Sequence, residues 1–209
     1  MYSEIVLSST GEAADVQGGI LGEYQYDRQK GHYVQSNSEI YHEKYQPKYI
    51  YRNNDYEEWH GGPISGDDDN LWLWNANKGL KVPDDSKWDV LDMETDTWSV
   101  DPDLKVTEGS LKPCKGAIIY GTEGVAREQG DFLGTYKVTN KRWNGHPVYK
   151  SNNGRLLHMS SDGYWSASDR LGEHSIRGKP GRLCPSESDE WEFWDGSKSE
   201  PAKIIVKSL

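Results

Sequence analysis

Phenylalanine is almost missing from this sequence, at two in 209 residues, yet there are nine tryptophans and 13 tyrosines. An apolar fraction of 34% is thin for an aliphatic core. Amphipathic rings make up the difference, since each can bury roughly 150–250 Å², and so aromatic a composition excludes a disordered chain. No run approaches the roughly 18 consecutive apolar residues of a membrane-crossing helix, and Met1–Thr10 lacks the basic and apolar parts of a secretory leader. Stretches at helical period are also scarce, and only Gly11–Gln17 and its counterpart after Thr122 are compatible with a helical turn.

Positive charge is in short supply: 24 Lys+Arg against 34 Asp+Glu leave a net −10. That balance argues against nucleic acid, whose binding needs a phosphate-neutralising stripe. The deficit is uneven, with 22 acidic and 9 basic residues through Leu111 but 12 and 15 from Lys112 onward. Enzyme signatures are absent too: there is no G-x-S-x-G, H-E-x-x-H, phosphate-binding loop or G-x-G-x-x-G. The reading leans away from an enzyme. A glycosidase's carboxylate pair is not excluded, because the fold alone sets its separation.

The sequence does contain a phrase used twice. Thr10–Tyr24 and Thr122–Tyr136 match without a gap at an offset of 112, with seven identities: Thr10/Thr122, Ala14/Ala126, Gln17/Gln129, Gly18/Gly130, Leu21/Leu133, Gly22/Gly134 and Tyr24/Tyr136. A second echo, around Trp88 and Trp191, closes each copy at an offset of 103. This predicts an internal duplication, with modules at 1–111 and 112–209 joined by the short connector Val106–Lys115. Short strand-like segments alternate with Asn144-Gly145, Asn153-Gly154, Asp162-Gly163 and Asp195-Gly196, dipeptides suited to type I′ hairpin turns. The expected fold is all-β: two tandem, pseudo-symmetric antiparallel modules, each a sandwich or barrel of about seven strands. In the first copy the segments include Glu39–His42 and Leu71–Trp74.

Only two cysteines occur, and the first copy lacks both. Residues gained together suggest a bridge, so a Cys114–Cys184 disulfide is one expectation, implying an oxidising, extracellular setting. Two independent thiols in a cytoplasmic protein are the alternative, which the absence of any Asn-x-Ser/Thr sequon favours.

The repeat also sorts the tryptophans. Trp59, Trp88, Trp165 and Trp191 recur and read as core pillars, whereas Trp72, Trp74, Trp98, Trp143 and Trp194 do not recur. Trp72 and Trp74 alternate with leucines, so on a strand both rings would share a face beside Asp67-Asp68-Asp69-Asn70. That is the pattern of a sugar site, in which indole stacks on pyranose C–H groups while Asp68, Asp69 and Asn70 bind hydroxyls. The competing reading packs the pair against the other copy. Trp143, beside Asn144 and His146 at a turn, is a second site candidate with an exposed ring. No cofactor is implied; a loose Ca²⁺ site joining the Asp67–Asp69 run to Asp84, Asp85 or Asp101 is weighed against a hydrated acidic loop. Shared polar residues (Gln17/Gln129, Thr10/Thr122, Asp92/Asp195, His32/His146) read mainly as local backbone partners. The expected function is carbohydrate or glycoprotein binding without catalysis, with a homodimer left open. A structural or matrix interaction protein and a glycoside hydrolase are the alternatives.

Overall fold

A computed structural model describes residues 1–37, 46–84, 87–180 and 182–209. The chain forms two nine-stranded antiparallel sheets that share one strand order. The first contains β1 (Glu4–Ser8), β2 (Gly22–Asp27), β3 (His32–Gln35), β4 (Tyr49–Asn53), β5 (Glu58–Gly62), β6 (Leu73–Asn75), β7 (Trp88–Asp92), β8 (Thr97–Asp101) and β9 (Lys105–Glu108). The second contains β10 (Gly116–Gly121), β11 (Gly134–Trp143), β12 (His146–Ser151), β13 (Leu156–Met159), β14 (Tyr164–Ser168), β15 (Ile176–Pro180), β16 (Trp191–Trp194), β17 (Ser199–Ala202) and β18 (Ile204–Ser208). In each, eight strands run as a meander and the ninth returns to pair with the first. The first sheet curls back on itself: Asp101, ending β8, accepts hydrogen bonds from Ser9 Oγ (2.7 Å) and Ala13 N (2.8 Å), just past β1.

Residues shared by the two sequence phrases perform the same tasks. Each first strand leads into a short helix, α1 (Glu12–Val16) or α2 (Glu123–Gln129), and then a 3-10 turn. Gly22 and Gly134 leave that turn at φ of +122° and +118°, a backbone that disfavours side chains. Tyr24 Oη donates to Ile20 O and Tyr136 Oη to Phe132 O. Gln17 and Gln129 each lash the turn to a late strand, donating to Leu91 O and Trp194 O. Trp59 and Trp88 are fully buried in one core, as is Trp165 in the other, where Trp191 is almost so. Every one of these indole N–H groups donates to a carbonyl (Leu80, Asp84, Arg182 and Ser188), so the rings enter the core without an unsatisfied donor.

The strand pattern is denser than expected. β3, β5, β8, β15 and β17 lie where no strand was predicted, and the expected strand at 39–42 lies outside the described residues. Among the four hairpin dipeptides only Asn144-Gly145 has two residues at positive φ (47° and 72°); in the others the glycine alone takes it. Val106–Glu108 belongs to β9 and not to the connector. Cys114 and Cys184 form a disulfide with Cα atoms 6.0 Å apart, tying the connector to a 3-10 turn before β16.

The two sheets are in direct contact, and one candidate site falls inside that contact. The turn joining β11 and β12 inserts against the first sheet: Glu23 N donates to Gly145 O (2.9 Å) and Gly145 N to Ser36 O (2.8 Å). Beside it, Gly163 packs on Gly18 and Gly19, where a Cβ on Gly19 would stand 2.2 Å from Ser161 O. Glu23, also buried, takes Leu111 N (2.9 Å) and faces Arg142, which donates to Leu111 O, so the connector is clamped at the join. Trp143, Asn144 and His146 are therefore not exposed as expected but are buried to 0%, 1% and 1%. His146 stacks edge-on against Trp165 and fills the space left by Gly22, and Trp143 sits in a small cluster with Val148 and Leu171. The type I′ turn that suggested a surface loop is the plug of the joint.

Candidate functional site

The outer face of the first sheet gathers the polar and aromatic residues that the core does not use. Inward residues on β5, β6 and β7 (Trp59, Leu73, Trp88, Val90) are fully buried, so their neighbours face outward by strand alternation. Register then sets a row across five strands: Tyr51 beside His60, His60 beside Trp74, Trp74 beside Asp89, and Asp89 beside Val100. Trp98, opposite Leu91 on β8, lies diagonally from Trp74 with ring centroids 6.3 Å apart and planes at 82°. Trp98 is 43% exposed and Val100 47%.

Beneath these rings lies a hydrogen-bonded base. Glu58 is buried and accepts the Trp74 indole N–H at 2.8 Å. His60 is held between two carboxylates, with Nδ1 3.0 Å from Asp68 Oδ1 and Nε2 3.8 Å from Glu58 Oε2. Asn53 donates to the other Asp68 oxygen at 2.6 Å. Tyr51 donates to Asp67 O, and burial chiefly, with Asp68 and Asp67 adding to it, pushes its phenol well above its usual range, so it stays protonated. This arrangement can offer a rigid indole wall and fixed acceptors to a ligand.

Of the predicted residues, Trp74 and Asp68 belong to this site, and Asp69 and Asn70 lie exposed on the same loop. Trp72 does not share Trp74's face. Its N–H donates to Gly61 O while Leu73 is Gly61's ladder partner, so two residues stand against one and the alternation is reset. Its half-buried ring packs on the inner core with the Lys48 ammonium 4.9 Å above it. Lys48 is buried, and desolvation, opposed by Asp162, lowers its pKa to about 8.

The acidic residues weighed for a loose Ca²⁺ site lie as follows. Asp67 is occupied by Asp69 N and Asn70, and Asp101 by Ser9, Ala13 and Asp103 inside the fold. Asp85 lies outside the described residues, and among those described no three acidic, His or Cys side chains converge as metal ligands. Sequence reasoning missed Glu58, His60 and Trp98. Glu58-Trp59-His60 carried a signal, a polar–core–polar triplet around a recurring tryptophan, that reads as a strand once Trp59 is known to point inward.

A cleft of about 720 Å³ on the second sheet, lined in part by Tyr164, Arg177, Lys179 and Glu192, is a weaker candidate. Two of its cations are already partnered, Arg177 by Glu192 and Lys179 by Glu190 and Asp15. No family model matches the chain, and comparison with curated proteins and with solved structures found no match.

Proposed function

We propose that this chain is a non-enzymatic, lectin-like carbohydrate-binding protein whose ligand lies on the outer face of the first sheet. The observation that carries the reading is the exposed Trp98 beside Trp74, set over the Glu58–His60–Asp68 network. An exposed indole offers a flat apolar face to pyranose C–H groups, and carboxylates already oriented by internal bonds bind hydroxyls at little ordering cost. The common strand order and the matched roles of Gln17/Gln129 and Tyr24/Tyr136 support descent of both sheets from one duplicated module, with binding specialised in the first. The disulfide fits an extracellular setting.

The test is retention on a glycan array together with sugar-induced changes in tryptophan emission. Trp98→Ala is expected to weaken retention at least tenfold without lowering the melting temperature. If no glycan is retained and emission does not respond to sugars, the reading fails. A second reading, a protein-interaction module, is favoured by one observation: β8 is an edge strand displaying Trp98 and Val100. Capture of an extended peptide that Trp98→Ala abolishes, with no glycan retained, would select it.

A further inference from the structure

We propose that the ligand of this face carries a positive charge, as an unacetylated amino sugar whose ammonium group enters the corner between Trp74 and Trp98. The inference rests on the carbohydrate reading above and narrows it. A neutral pyranose needs one flat ring to stack on, whereas here two indole planes meet at 82°. A second, perpendicular π face adds little to a flat sugar. It adds attraction for a rounded cation, which the negative face of an indole draws in.

Asp89 supplies the matching charge. It is the direct cross-strand neighbour of Trp74, and among the described residues its carboxylate has no hydrogen-bond or ion-pair partner. Glu58 and Asp68 lie in the adjoining base, and Asp92, Glu94 and Asp96 form the hairpin that leads into β8. Among the described residues the cations in contact with these carboxylates are Lys78, 68% exposed with Nζ 3.9 Å from Glu58, and His60 if protonated, while the exposed Lys87, two residues before Asp89, pairs with none of them. The face is therefore short of positive charge beside its aromatic corner.

The second sheet shows what such a place holds when the chain fills it internally. Trp74 pairs with His60 and Asp89; Arg177 pairs in the same way with Ser166 and Glu192. Arg177 thus occupies the position of Trp74, and its guanidinium lies 4.8 Å over the Tyr164 ring while its Nε pairs with Glu192. One sheet carries its own cation between an aromatic ring and a carboxylate. The other has the rings and the carboxylate without the cation.

The experiment titrates the full chain with a glucosamine oligomer and with its fully N-acetylated counterpart of equal length, at a pH where the amine is charged. The readouts are tryptophan emission and calorimetry. The unacetylated oligomer is expected to bind at least tenfold more tightly and to weaken with added salt. Asp89→Asn, isosteric and half-buried, is expected to reduce that preference several-fold with the melting temperature unchanged. Equal binding of the two oligomers, tighter binding of the acetylated one, or an unchanged preference in Asp89→Asn overturns the inference while the carbohydrate reading stands. Failure to bind either oligomer or any neutral glycan removes both.

Discussion

Acidification from pH 7 to pH 5 should destabilise the fold through two buried histidines. Burial chiefly lowers the pKa of His146 to about 4 and that of His158 to about 3, from an ordinary 6.5. Both rings are therefore neutral when folded, and the His158 Nε2 accepts the Gly172 N–H at 3.0 Å, which places its proton on Nδ1. In the unfolded chain they protonate below the ordinary value. The stabilisation they supply is thus complete above about pH 6.5 and is lost as pH falls toward the folded pKa values. Linkage gives about 2 kcal/mol lost per histidine between pH 7 and pH 5, or about 4 kcal/mol for the pair, a large share of a typical 5–15 kcal/mol. Burial also lowers the pKa of His32, which acts in the same direction. The carboxylates held low by backbone and hydroxyl donors, Asp27, Asp92 and Asp195, contribute stability that persists until the pH falls below their ordinary 3.8 and so lie outside this window. Urea unfolding followed by tryptophan emission at the two pH values measures the effect, and His158→Gln, whose Oε1 can take the Gly172 N–H, should remove about half of the slope. Unchanged stability between the two pH values, or a His158 imidazole that titrates near 6.5 by NMR, would refute the reasoning.

Three further outcomes test the packing. Gly145→Ala should cost several kcal/mol and separate the sheets, because φ is +72° and the new methyl would stand 2.9 Å from Glu23 N; protease sensitivity of the Leu111 segment reports it. Reducing the Cys114–Cys184 bond, which spans a sequence separation of 70, should lower stability by about 4 kcal/mol on loop-closure entropy, read as a fall in melting temperature. Trp72→Ala should lower the melting temperature because its ring leans on the core, whereas Trp98→Ala should change stability by no more than about 0.5 kcal/mol.

What the sequence disclosed and what it hid follow from the range of the interactions involved. The repeated phrase around Gln17 and Tyr24 was legible because its bonds close within one turn, as with Tyr24 Oη and Ile20 O, or anchor to a strand near the second echo. The recurring tryptophans marked both cores because each indole N–H closes on a carbonyl no more than 21 residues away in its own half. The bulge at Gly61 was not legible, since only strand register reveals that Trp72 and Leu73 share a single partner, and it divided a pair that alternation had joined. Asn144-Gly145 announced its turn type faithfully but not its surroundings, because burial by Glu23 and Ser36 comes from residues more than a hundred positions away. Trp98 was recognised only as unshared, and its pairing with Trp74 across β7 needed the sheet.

The joint between the sheets has a direction: turns of the later half enter the helical end of the earlier one, and the relation is not reciprocal. Such a head-to-tail fit would build an endless row if each unit offered both halves of it. Here both free ends are altered. Asp131, bonded to Arg155, stands where the joint requires Gly19, and the charged Asp27–Gly31 loop replaces the slim Asn144-Gly145 tip. The surfaces that make the joint inside the chain thus differ in bulk and charge from their counterparts on the two outer ends.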